Sequence, residues 1–397
     1  MGISILVLIA IAAPALASPK IGGIRIGDYP NHTRFVLDIS EKVDFSVFTL
    51  ADPYRVVIDL PEVVWHRAAR IAPRGKRITG YRFGLFEAGR SRVVIDLKSA
   101  VRIKQSFILP SKGARPYRVV LDIEPVTRTV MLGEIEKARQ KIAAPPRTAA
   151  ATRPPVPVKP KRRKLAKKPL VMIDPGHGGV DPGARSQSGA WEKHIVLNQA
   201  RVLRRHLLET GRYRVHLTRE KDIFLRLRKR IAIAQDMQAD LFLSLHADSI
   251  KNRNVRGASI YTLSEKASDK EASMLAEKEN KADIIAGIDL NDKSKAVARI
   301  LIDLRQRLTK NESVRFADML VSELRGKVPL LRKHRRYAGF AVLKAPDVPS
   351  VLVEMGYLSN RRDERMLRSR KHQERFAASV VQAVDTFFRR QRALYAP

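Results

Sequence analysis

The chain has 397 residues, 44% of them hydrophobic, so at about one domain per 150 residues it can bury two or three separate cores. Lysine and arginine number 76 against 40 aspartate and glutamate, a formal net charge of +36, which favours polyanionic partners: nucleic acid, acidic lipid headgroups or carboxylate-rich wall polymer. Cysteine is absent, which excludes disulfides and thiolate metal sites and leaves any metal chemistry to His, Asp and Glu.

Residues 1–17 read as an export signal, because Ile3 to Ala17 is a short apolar run ending in the small-x-small pattern Ala15-Leu16-Ala17. No Lys or Arg precedes the run, which fits a mis-assigned start codon or an uncleaved anchor. As an anchor, its roughly 15 apolar residues fall short of the ~20 that a spanning helix needs.

Residues 20–126 form the next unit, built of short alternating apolar runs that repeat. Thr33-Arg34-Phe35-Val36-Leu37-Asp38-Ile39 recurs as Ser91-Arg92-Val93-Val94-Ile95-Asp96-Leu97, and Tyr54-Arg55-Val56-Val57-Ile58-Asp59-Leu60 recurs as Tyr117-Arg118-Val119-Val120-Leu121-Asp122-Ile123. This is an internal duplication of a strand pair. The β-branched residues and period-two polarity predict a small all-β sandwich, with turns at Asp52-Pro53 and Arg115-Pro116. The repeated Arg and Asp read as a cross-strand charge pattern on a solvated face, not as catalytic groups.

Residues 127–168 make a linker rich in Pro, Ala, Lys and Arg, with a short helical stretch around Gly133 to Ile142. Its prolines break any helix, and Lys161-Arg162-Arg163-Lys164 repel one another, so it is an extended tether attracted to wall or membrane.

Residues 169–392 alternate apolar strands with amphipathic helices, which predicts an α/β domain: a mixed sheet with helices on both faces. The expected strands are Leu170 to Asp174, Tyr213 to Thr218, Asp240 to His246, Ala258 to Leu263, Ala338 to Leu343 and Ser350 to Glu354. Helices are expected at about Lys193 to Glu209, Leu225 to Met237 and Glu364 to Phe388.

Such sheets place their sites just past the carboxyl ends of strands. His177 follows one strand in Asp174-Pro175-Gly176-His177-Gly178-Gly179, His246 closes another, and Glu354 ends a third. Zinc catalysis needs three protein ligands and an open position, and two histidines with one glutamate are a sufficient set. Glu192, at the start of the helix after the glycine-rich loop, supplies the carboxylate, so His177, Glu192 and His246 are the expected zinc ligands and Glu354 the general base. His194 is left out because its helix should carry it away from the rim. Asp174 and Asp248 flank the histidines, either as acceptors that orient the imidazoles or as turn formers.

Together, Asp174-Pro175-Gly176-His177-Gly178-Gly179, Asp181-Pro182-Gly183-Ala184, Ser244-Leu245-His246-Ala247-Asp248 and Val353-Glu354-Met355-Gly356-Tyr357-Leu358-Ser359-Asn360 resemble the signatures of zinc-dependent N-acetylmuramoyl-L-alanine amidases of the periplasmic cell-separation type. The N-terminal duplication resembles the wall-targeting AMIN domain that often precedes that catalytic domain. Met355 and Tyr357 depart from the commoner Thr-Gly-Phe form without removing the carboxylate. The resemblance implies a periplasmic hydrolase of the amide between N-acetylmuramic acid and L-alanine in peptidoglycan, with zinc on His177, Glu192 and His246 and with Glu354 as catalytic glutamate.

A segment at about 265–312 is longer than an ordinary connection in such a sheet. Met274 to Ile285 reads as an amphipathic helix and Ala296 to Leu308 as another, with Ile300, Leu301, Leu304 and Leu308 on one stripe. The resemblance implies a regulatory insertion whose glutamate occupies the open metal position until an activator moves it. Glu279 is the candidate and Glu277 the next. The implied activator is a catalytically inactive LytM-type, peptidase-like protein, acting on a monomeric enzyme. Three alternatives stay open: a non-catalytic wall-binding protein, a zinc peptidase and a polysaccharide deacetylase. Nucleic-acid binding lacks any recognisable reading module.

Overall fold

The computed structural model describes residues 18–65, 75–87, 89–113, 115–142, 168–286 and 302–395. The expected export signal at 1–17 and the basic run at 161–164 lie outside the described residues.

The N-terminal unit is the expected sandwich. One sheet, in the order β5-β1-β2-β9-β8, contains β1 (Lys20–Asp28), β2 (Thr33–Ile39), β5 (Val64–Trp65), β8 (Val101–Leu109) and β9 (Tyr117–Pro125). The other, β3-β4-β7-β6, contains β3 (Ser46–Leu50), β4 (Arg55–Pro61), β6 (Ile78–Glu87) and β7 (Arg90–Leu97). Alternation does the sorting: in β2, Thr33, Phe35, Leu37 and Ile39 are buried, and the residues between them are half-exposed. The duplicated segments do not pair within their own halves. β2 pairs with β9 and β4 with β7, so each half contributes one strand to each sheet. Their inner faces meet in one core that includes Phe35, Leu37, Val56, Ile58, Val93, Ile95, Val119 and Leu121. The repeated charges pair across strands, Arg34 opposite Asp122 and Arg92 opposite Asp59, but their face is not solvated throughout as expected: Arg92 and Asp122 are buried.

The expected linker begins as structure. Helix α1 (Arg128–Ile142) seats Met131 and Ile135 against Ala100 of the sandwich, so it is part of the N-terminal unit.

The C-terminal sheet has six strands in the order β11-β10-β12-β15-β13-β14. They are β10 (Leu170–Pro175), β11 (Arg214–Leu217), β12 (Leu241–His246), β13 (Ala258–Leu263), β14 (Leu330–Ala338) and β15 (Ser350–Glu354). All neighbours run parallel except β13 against β15. Helices α2 (Glu192–Glu209), α6 (Ile302–Leu324) and α8 (Arg370–Tyr395) cover one face. On the other face lie α3 (Leu227–Asp236) and α4 (Lys270–Asn280). Burial on both sides explains why β10, β12 and β15 read as near-continuous apolar runs interrupted only by Asp174, Ser244 and the strand-end polar residues.

Four expectations are corrected. The fifth strand is Leu330–Ala338, not Ala338 to Leu343, and residues Ala341–Leu343 form a single 3-10 turn. The charged sequence of β14 hid it, because an edge strand keeps Arg332, Lys333 and Tyr337 in solvent. The first insertion helix breaks into α4 and a single turn, α5 (Ala282–Ile285), on either side of Lys281. The second insertion helix, expected to end at Leu308, runs on instead as part of α6 to Leu324, and its residues 296–301 lie outside the described set. The closing helix is two helices, α7 (Arg361–Arg368) and α8, separated by Ser369 in an extended conformation.

Candidate active site and metal centre

The rim of the sheet is built by β10, β12 and β15. His246 and Glu354 are register partners on adjacent parallel strands, which puts both side chains over the same edge. After β10 the chain enters Gly176-His177-Gly178-Gly179, where His177 itself adopts φ 59°. A Cβ at Gly176 would lie 2.4 Å from Cε1 of His246, so only glycine leaves room for that ring. Gly183, at φ 66°, plays the same part for Glu192, whose Oε2 would meet a Cβ at 2.7 Å.

Two buried guanidiniums hold this loop. Arg230 donates to Asp174 at 2.7 Å and to the carbonyls of Pro175 and His177 at 2.8 and 2.7 Å. Arg219 donates to the carbonyls of Pro175 and Gly176 at 2.9 and 2.7 Å. Asp174 also accepts from Thr218 and Ser244. Burial alone would raise the Asp174 pKa, but the Arg230 charge and these hydrogen bonds outweigh it and hold the carboxyl below its ordinary value.

Four side chains converge beneath the loop. The rings of His177 and His246 stand edge to face with centroids 4.9 Å apart. Glu192 reaches the two rings with different oxygens, Oε2 at 3.2 Å from His177 Nε2 and Oε1 at 3.3 Å from His246 Nδ1. Glu279 reaches both with one oxygen, Oε2, at 3.5 and 3.3 Å. Ligand atoms of His177, His246 and Glu279 all lie within 4.8 Å of one another. His177 Nε2 and His246 Nδ1 are buried without a hydrogen-bond partner and both face oxygens of Glu192 and Glu279, which is the condition of a donor set facing a common centre. Nitrogen and carboxylate donors at this spacing suit a divalent transition metal.

His177 and Glu192 are fixed from behind. His177 Nδ1 lies 2.8 Å from Asp181, which leaves Nε2 free to point at the cluster. Glu192 accepts from the N–H groups of Ala184 and Ala247, both at 2.8 Å. Burial would lower the His177 pKa, but the charges of Asp181, Glu192 and Glu279 raise it well above the ordinary value. Glu354 is fully buried, with Oε2 accepting from the Asp248 N–H at 3.0 Å and Oε1 unpaired. Desolvation, then the carboxylates of Asp248, Glu192 and Glu279, push its pKa well above the carboxylate range.

The N-acetylmuramoyl-L-alanine amidase profile matches residues 171–386, and the AMIN domain profile matches residues 23–123. The chain belongs to the N-acetylmuramoyl-L-alanine amidases. It is 33% identical over 396 residues to N-acetylmuramoyl-L-alanine amidase AmiC of Escherichia coli O6:H1, covering 96% of this chain and 93% of that one. It is 32% identical to AmiC of Neisseria meningitidis serogroup B, covering 94% and 91%. AmiA of Escherichia coli K12 is 37% identical over 235 residues, 58% of this chain and 80% of that one.

Within this amidase the sequence-predicted residues His177, Glu192, His246 and Glu279 meet in one cluster, with Glu354 on the same rim. Glu277 is exposed on α4, and His194 is exposed on α2. Asp174 and Asp248 do not orient the histidines. Asp174 faces Arg230, and Asp248 pairs with Lys278 of the insertion. The orienting acceptor is Asp181, legible in hindsight four residues beyond His177. Arg219 and Arg230 carried no local signal for holding the His177 loop, since the loop residues they grip lie 43 to 56 residues away.

Proposed function

We propose that this amidase is a periplasmic, zinc-dependent hydrolase that cuts the amide between the lactyl group of N-acetylmuramic acid and L-alanine in peptidoglycan during daughter-cell separation, and that its insertion holds it inactive. One observation carries the reading: unpaired nitrogens of His177 and His246 face the same buried carboxylates, beside a fully buried Glu354. His177, Glu192 and His246 would hold the zinc, which when bound polarises the scissile carbonyl and makes water nucleophilic near neutral pH. Glu354 acts as the base. Its Oε2 is tied to a backbone N–H and its Oε1 is free, so Oε1 takes the water proton and delivers it to the leaving nitrogen. The high proton affinity that burial gives this carboxyl suits it to both halves of that transfer.

Glu279 is the closing group. Its shared oxygen lies against both ring nitrogens, where an incoming carbonyl or water would otherwise sit. Its neighbours hold the helix down: Lys278 pairs with Asp248, and the Asn280 side chain exchanges hydrogen bonds with Gly339 and Ala341. An inactive, peptidase-like activator would dock on the insertion, where α4 exposes Met274. The enzyme is read as a monomer, and residues 1–17 as its export signal.

Mass spectrometry of digested sacculi tests the reaction. Intact stem peptides freed from glycan, lost with a chelator and restored by zinc, are the expected products. Shortened stems would mark a peptidase, and free acetate a deacetylase. Glu354→Ala is expected to keep its zinc and lose about 10²–10⁴ in rate. Normal hydrolysis by that variant would remove Glu354 from the mechanism.

A further inference from the structure

We propose that the N-terminal domain is a clamp that holds the insertion over the active site, an inference that rests on the reading of Glu279 as the closing group. The clamp is the outer face of the β6–β7 hairpin. Gly84 lies opposite Arg92 in the register, and Arg82 follows on the same face two residues away.

This face meets two parts of the amidase domain. The first is the loop that carries His177. A Cβ on Gly84 would lie 2.5 Å from the carbonyl carbon of Gly179, and one on Gly179 would lie 2.0 Å from the Leu85 oxygen, so the two backbones touch with no side chain between them. The Leu85 carbonyl accepts from the Phe224 N–H at 3.1 Å, and Leu85 forms a bridge with Ile223. Phe86 stacks on Phe224 at 5.9 Å, and together with Val180 and Ala286 they form a small buried apolar cluster.

The second part is the end of α5, within the insertion. Arg82 Nε donates to the Ile285 carbonyl at 2.7 Å, and Arg92 Nη1 donates to the Ala286 carbonyl at 3.2 Å. These carbonyls close α5, where a helical turn leaves its acceptors unsatisfied and its dipole negative, so two guanidiniums are the fitting partners. Both are oriented in advance by the N-terminal domain itself, Arg82 by Asp96 and Arg92 by Asp59. Arg92 also lies over the Phe86 ring at 3.6 Å. Only Lys281 separates α4 from α5, so the turn held by the two arginines is directly coupled to the turn that presents Glu279. The amidase domain anchors this part of the insertion at Lys278, Asn280 and Asp283, and the N-terminal domain anchors the end of α5. Whatever draws the hairpin face away from the amidase domain therefore loosens the group that closes the site.

The test uses the full-length chain. Arg82→Ala removes the donor to Ile285, and Gly84→Leu drives a side chain into the Gly179 backbone while staying in an extended strand. Glu279→Ala runs in parallel. Loss of one charge-assisted hydrogen bond shifts a closed-to-open equilibrium by about tenfold. Each hairpin variant is therefore expected to release stem peptides from sacculi about tenfold faster without an activator. Amide hydrogen exchange over residues 270–286 should rise with it. Wild-type rate or wild-type exchange in both hairpin variants, with Glu279→Ala faster, overturns the clamp and leaves closure by Glu279 standing. No rise in any of the three variants removes both. Thermal unfolding at the wild-type temperature verifies that each variant is folded, and the two hairpin changes are independent in kind.

Discussion

At the surface of the N-terminal sandwich, arginine–aspartate pairs join neighbouring strands with their charges in water, as Arg25 does with Asp38 at 60% and 20% side-chain exposure. In the amidase domain, Arg230 and Asp174 pair at 3% and 1%, and the spare donors of Arg230 hold the loop that carries His177. The residue types are the same, but the settings give them different work. On the surface, water already solvates both charges, and the pair adds little to a core of valine, isoleucine and leucine worth ~1.5–3 kcal/mol per buried side chain. Under the rim, water is excluded, each charge depends on its partner, and the geometry of a catalytic loop depends on both.

Removing a buried partner should have the largest effect. Arg230→Met strands the Asp174 carboxylate, and differential scanning calorimetry is expected to show the amidase domain losing about 3–5 kcal/mol while the sandwich transition stays in place. A loss below about 1 kcal/mol would erase the distinction between the regions. Next comes a buried group with no partner. His372 has an unpaired Nε2, and burial, then the charge of Arg375, pushes its pKa down from 6.5 to about 4. Between these values the unfolded chain takes up a proton that the folded chain refuses. Stability from this residue is thus complete above pH 6.5 and falls as pH drops toward 4, by a total of about 3 kcal/mol. His372→Gln should flatten that part of the stability–pH curve, and an unchanged slope would show that another group is responsible. The smallest change is expected on the sandwich surface, where Arg25→Ala should alter chemical denaturation by no more than about 1 kcal/mol.

The same contrast explains what could be read in advance. Strand-end residues with a strong local signature, His177, His246 and Glu354, were legible because period-two alternation and glycine spacing are local properties. Glu192 followed from its place at the head of a helix. The α4 helix was legible as an amphipathic run, but its break at Lys281 was not, because the break depends on Asn280 pairing with Gly339 and Ala341 far along the chain. β14 was hidden by its charges, since an edge position removes the apolar pattern that marks a strand. The duplication was visible as sequence, yet the exchange of strands between sheets is set by how two twisted sheets close on one core. Arg230 acts through contacts more than 50 residues away that neither composition nor periodicity encodes.

On the proposed reading, Glu279 closes a site that is otherwise complete. The most direct measurement is stem-peptide release from purified sacculi by zinc-loaded, full-length Glu279→Ala, with no activator present. A basal rate at least about tenfold above wild type is expected, with zinc content unchanged. A basal rate equal to wild type at equal zinc content would contradict it.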